Sequence, residues 1–144
     1  MYNKDKMNEL IEIKEYNGDE YSPIMDYGAW RVAILNYSDT LLPMNINNMQ
    51  RHDTSDEVFV LLRGECILFL GEGDDKVDNV YSVKMEPYKA YNIKRGVWHN
   101  HTLSKDAKVL IVENLDATDD TSPFINLDDN IKDKIIEDAK GLLS

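Results

Sequence analysis

The chain has 144 residues, enough for one ordinary domain with a real core. Its 42% apolar content is globular, and its net charge of −11, from 27 acidic and 16 basic residues, would repel nucleic acid and anionic membranes. The single cysteine, Cys66, excludes an internal disulfide.

The opening stretch MYNKDKMNELIEIK has no continuous apolar core of a secretory signal, and no apolar run reaches the ~20 residues that span a bilayer, so the expected location is the cytoplasm. Residues 1–27 read as a lead-in carrying a short strand around Leu10–Ile13 and a break at Ser22-Pro23. From Gly28 the texture changes. Trp30–Tyr37 is rich in β-branched and aromatic residues and reads as a strand.

Residues 57–71, EVFVLLRGECILFLG, form two apolar runs around Arg63-Gly64 and predict a hairpin with glycine at the turn. Alternation sets Glu57, Phe59 and Leu61 on one face and Val58, Val60 and Leu62 on the other. Both faces are apolar beyond Glu57, which predicts a strand covered on both sides. Further strands are expected at 80–85, 90–95, 99–103 and 107–115. Short strands at this rhythm, with almost no helix among them, imply an all-β barrel or sandwich over residues 28–115.

The tail, 116–144, belongs to the same domain and differs in texture. It carries many of the acids, Asp116, Asp119, Asp120, Asp128 and Asp129 among them, which read as solvated surface. Ile131, Ile135, Ala139 and Leu142 or Leu143 recur at helical spacing, predicting a C-terminal helix near 127–142 that packs on the barrel or on a second subunit. Exposed sheet edges and this apolar stripe together predict a homodimer.

The three histidines are not scattered. His99 and His101 are two apart in an expected strand, hence on one face and about 6.6 Å apart along it. His52 precedes Glu57 by five positions, and Glu57 opens an apolar strand where an unpaired carboxylate is costly. Two imidazoles and a carboxylate suit a divalent first-row metal.

The run His52-DTSD-Glu57-VFVLLR-Gly64 resembles the first motif of the cupins, and Lys94-Arg-Gly96-Val-Trp-His99 resembles the end of the second. The resemblance covers residues 50–103. It implies a double-stranded β-helix, or jelly-roll, barrel with a metal site of His52, Glu57, His99 and Gln50. The metal would be a divalent transition ion (Fe, Mn, Ni or Zn). Gln50 stands where the family's first histidine is usual, Lys94 where a proline is usual, and Leu103 where an asparagine is usual. Arg95-Gly-Val-Trp-His99 and Met49-Gln-Arg-His52 are also similar to the ureidoglycolate lyase branch.

Two functions follow. One is an enzyme of lyase or isomerase type acting on a small polar carboxylate or carbonyl substrate. In it Glu57 or His101 moves a proton, and Arg31, Arg51, Lys94 and Arg95 are candidates to hold a substrate carboxylate. The other is a non-catalytic binding protein for a sugar or small acid. Cys66 is expected to be buried and inert.

Overall fold

The computed structural model describes residues 4–117 and 120–144; Asp119 of the acidic tail lies outside the described residues. Ten strands are present: β1 Tyr21–Tyr27, β2 Trp30–Asn36, β3 Asn48–Gln50, β4 Glu57–Arg63, β5 Cys66–Glu72, β6 Asn79–Lys84, β7 Ala90–Ile93, β8 Trp98–Leu103, β9 Lys108–Asn114 and β10 Phe124–Asn126. They are flanked by helices α1, Lys4–Leu10, and α2, Asp129–Leu142. Two antiparallel five-stranded sheets, ordered β1-β2-β9-β4-β7 and β10-β3-β8-β5-β6, face each other as a jelly-roll barrel. Strands β1 and β10 lie outside residues 28–115, and both join the sheets.

Alternation along each strand sorts the side chains. Ala33 and Leu35 of β2, Phe59 and Leu61 of β4, Leu68 of β5, and Val109 and Ile111 of β9 point between the sheets and form the inner core. The opposite face of the second sheet is also buried. There Met49, Ile67, Phe69, Val80 and Trp98 lie under Ile131, Ile135 and Ala139 of α2. Asp128 is the N-cap of α2, its carboxylate accepting from the Ile131 amide at 2.9 Å.

Four expectations need correction. The stretch Leu10–Ile13 is not a strand: α1 ends at Leu10, and Leu10 and Ile13 are 72% and 77% exposed, with no neighbouring strand to pair against. Ser22-Pro23 is not a break but lies within β1, an edge strand, where a residue without an amide hydrogen removes no essential ladder bond; the register shifts just after it.

The Arg63-Gly64 turn is not a paired hairpin either. β4 pairs with β7 and β9, and β5 with β6 and β8, so Gly64 turns a corner from one sheet to the other. Glycine is still required: its φ is +75°, and a Cβ would come within 2.6 Å of the Ala107 Cα.

Finally, β4 is covered on its inner face alone. Glu57, Phe59 and Leu61 are buried, Val58 and Val60 are half-buried and Leu62 is 50% exposed.

Candidate metal centre

Glu57 is the first residue of β4, on the inner face, and His99 lies on the inner face of β8 in the opposite sheet. His52 follows β3 in a loop held by backbone bonds: the Arg51 amide donates to the Pro123 carbonyl, the Asp53 amide to that of Thr121, and the Gly96 amide to that of His52. Gly96 takes φ +81°, a left-handed turn that lets the chain swing from β7 into β8.

These three side chains converge. Nε2 of His52 is 3.3 Å from one Glu57 carboxylate oxygen and Nε2 of His99 is 3.1 Å from the other. The ring centroids of the two histidines are 5.2 Å apart. One donor atom from each of His52, Glu57 and His99 falls within 4.8 Å of the others, and all three residues are buried.

The far side of each ring is anchored. His99 Nδ1–H donates to the Val97 carbonyl at 3.0 Å, which turns Nε2 toward Glu57. His52 Nδ1 is 2.7 Å from the Ser122 hydroxyl, which can donate or accept there. Imidazoles fixed through Nδ1 with Nε2 facing a common space are built as metal ligands usually are. The donor set of two nitrogens and one carboxylate therefore fits a divalent first-row ion.

The charges reinforce this arrangement. Burial pushes the Glu57 carboxyl up, but its bonds to His52 and His99 outweigh that and hold it well below the ordinary carboxylate range. Burial likewise opposes protonation of His52, and the Glu57 carboxylate overrides it, raising the imidazole.

The other predicted residues divide. Gln50 stands directly opposite His99 in the ladder, and its Nε2 donates to the Ser122 carbonyl at 3.0 Å. His101 faces inward one rung along, its ring 5.9 Å from Phe59. Its Nδ1 is buried without a hydrogen-bond partner among the described residues. Burial, then the neighbouring His99, lowers its pKa to about 4, so the ring is neutral.

The candidate carboxylate-holding residues do not gather. Arg31 is ion-paired to Asp26 at 2.9 Å. Arg51 pairs with Asp53 and Asp74 and lies over the Trp98 ring, beside the outer cluster under α2. Arg95 gives its backbone amide to Asp56. Cys66 is fully buried, and burial pushes its thiol up to about 12, so it is unreactive as expected.

Two residues went unread in the sequence. Glu113, near the end of β9, is buried, and the Tyr21 hydroxyl donates to it. Burial and the Glu57 charge raise its pKa to about 7. The alternation Val109, Ile111, Glu113 carried that signal. Ser122 had none, because it lies in a loop whose place depends on β10 pairing with β3.

No protein-family model matches this sequence, and no curated protein does. Similarity shows at the level of structure, and the fold is that of the cupins. A cupin-2 domain protein from Shewanella frigidimarina aligns over 78% of this chain and 93% of its own at 16% identity, with a TM-score of 0.50. A Streptomyces nucleoside dehydratase, Pac13, whose variants were solved with uridine, aligns over 79% of this chain and about 84% of its own at 6% identity, with a TM-score of 0.55. A protein from Bacillus halodurans aligns over 79% of both chains at 13% identity, with a TM-score of 0.52. Among the described residues no helix is long and apolar enough to cross a membrane.

Proposed function

We propose that this chain is a metal-dependent cupin enzyme, a lyase or isomerase acting on a small carboxylate or carbonyl substrate at His52, Glu57 and His99. The observation that carries this reading is the pair of buried imidazoles, each anchored at Nδ1, turning Nε2 onto one buried carboxylate. When bound, a divalent ion supplies Lewis-acid polarisation of a substrate oxygen.

The chain's own residues do the rest. Glu57 offers the anionic ligand and is kept ionised by the two histidines. Gln50, at the margin, has a side-chain carbonyl oxygen to offer as a further ligand. His101 stays neutral, and its unpartnered Nδ1 is available for a hydrogen bond to substrate. Within this class a ureido-acid substrate is the finer reading, supported by the Met49–His52 and Arg95–His99 segments.

A non-catalytic binding cupin is the second reading. The engagement of Gln50 with Ser122 favours it, because it ties up a side chain standing where the family usually has a ligand. Elemental analysis of purified protein separates the two: a stoichiometric transition metal supports the enzyme, and its absence after metal supplementation overturns it. We also propose a homodimer, formed through the outer face of the first sheet, where Trp30 and Leu62 are 46% and 50% exposed.

A further inference from the structure

Beside the histidine–glutamate cluster the barrel keeps an apolar cavity of about 190 Å³, walled by Leu68, Leu70, Val83, Tyr91, Ile93 and Val97. Its walls come from both sheets. β6 and β7 each end their own sheet, and the cavity lies at the seam between them.

The cavity is one rung from the proposed metal site on either side. Leu70 stands opposite His99 and Leu68 opposite His101 on the β5–β8 ladder, while Ile93 stands opposite Glu57 on the β4–β7 ladder. Directly opposite residues on one face have Cβ atoms ~5 Å apart. The cavity walls and the cluster residues are therefore direct neighbours on both ladders.

The wall chemistry selects what the cavity takes. The polar groups at the cavity are already engaged: the Tyr91 hydroxyl accepts from the Glu86 amide at 2.9 Å, and the Asn92 side-chain amide donates to Asp56 at 3.0 Å. A polar substituent would lose its water and find little in exchange. Apolar space of about 150 Å³ suffices for a benzene ring, so this cavity is of ring size. At its rim Lys94 makes no ion pair among the described residues, and its charge favours approach of an anion to an otherwise acidic protein.

We propose that the substrate is an oxo or hydroxy acid carrying one compact apolar flank, branched aliphatic or aromatic, which fills this cavity while its oxygens face His52, Glu57 and His99. This narrows the substrate class of the metal-site reading above, replaces its polar ureido flank with an apolar one, and rests on that reading for the oxygen-binding end.

The test compares two probes with the same head group, glyoxylate and phenylglyoxylate, by calorimetry on zinc-loaded and on chelator-treated protein. Phenylglyoxylate should bind the loaded protein at least about tenfold more tightly, because the ring leaves water. Val83→Trp, which fills the cavity from the half-buried β6, should erase that preference without changing metal content. Val97→Trp is the second filling variant should the first misfold. Equal affinities in the unmodified protein, or a preference that survives both filling variants, would overturn the cavity assignment. Failure to retain zinc, with the ring preference intact and still sensitive to Val83→Trp, would overturn the metal reading and leave the cavity assignment standing.

Discussion

Glu57 and Glu113 face the same interior of the barrel from the paired strands β4 and β9, and the Glu57 charge bears on the Glu113 carboxyl. Like charges at such positions repel. The conflict is resolved by unequal neighbours. Glu57 has two imidazoles and stays ionised, whereas burial and the Glu57 charge push Glu113 up to about 7 against the opposing hydrogen bond from the Tyr21 hydroxyl.

That asymmetry gives a pH prediction for metal-free protein. Glu113 rises from 4.5 to about 7 on folding, so its contribution to stability is present below 4.5 and lost as pH rises through 7. His101 falls from 6.5 to about 4, so its contribution is present above 6.5 and lost as pH falls through 4. Between 4.5 and 6.5 the two oppose each other, and melting temperature should vary little. Glu113→Gln should expose the histidine, with melting temperature falling as pH drops across that window. His101→Phe should expose the acid, with melting temperature falling as pH rises. Thermal scans in chelator at stepped pH read both slopes, and parallel profiles for the two variants would refute the assignment.

Metal retention should follow the geometry. Glu57→Gln removes the one anionic ligand and leaves two anchored imidazoles facing a neutral amide. Bound zinc or manganese after dialysis should fall by at least about tenfold. His101→Phe should change it little, because His101 lies outside the three-residue cluster. Elemental analysis of both variants decides, and equal losses would merge His101 into the ligand set.

Ser122 gives a subtler test. Its hydroxyl fixes His52 through Nδ1, and its carbonyl accepts from Gln50. Ser122→Ala should weaken metal binding by roughly 10- to 100-fold, as loss of a ligand's orienting partner usually does. Competition against a chromogenic chelator measures it. Unchanged affinity would mean that packing alone orients the His52 ring.

How much of this was legible in the sequence varied with the range of the interaction. The convergence of His52, Glu57 and His99 was readable because spacing within two motifs reports local strand geometry: Glu57 opens an apolar strand and His99 follows a glycine turn. The helix was readable because Asp128 and the stripe from Ile131 to Ala139 are contiguous. The Arg63-Gly64 corner was not, since two apolar runs around a glycine look alike whether they pair or part. The choice rests with β9 and β8, some forty residues away. Ser122 was hidden for the same reason, and Glu113 because its place in an expected strand does not by itself show that it faces Glu57 across the β4–β9 ladder.

The dimer prediction depends on which apolar surface is left over. The stripe on α2 is not available, since Ile131, Ile135 and Ala139 are buried against the second sheet of the same chain. The outer face of the first sheet is available: Val32, Val58, Val60, Leu110 and Val112 are half-buried, and Leu62 and Trp30 stand at its margins. A standard interface removes about 800 Å² from each partner, and a charge at its centre is strongly disfavoured. Val60→Glu should therefore convert a dimer at micromolar concentration into a monomer while leaving the fold intact. Ile135→Asp should instead unfold the protein, because it buries a charge in the chain's own outer core. Sedimentation velocity with circular dichroism separates the outcomes: a native-like monomer for Val60→Glu supports the sheet-face dimer, and an unmodified protein that already sediments as a monomer overturns it.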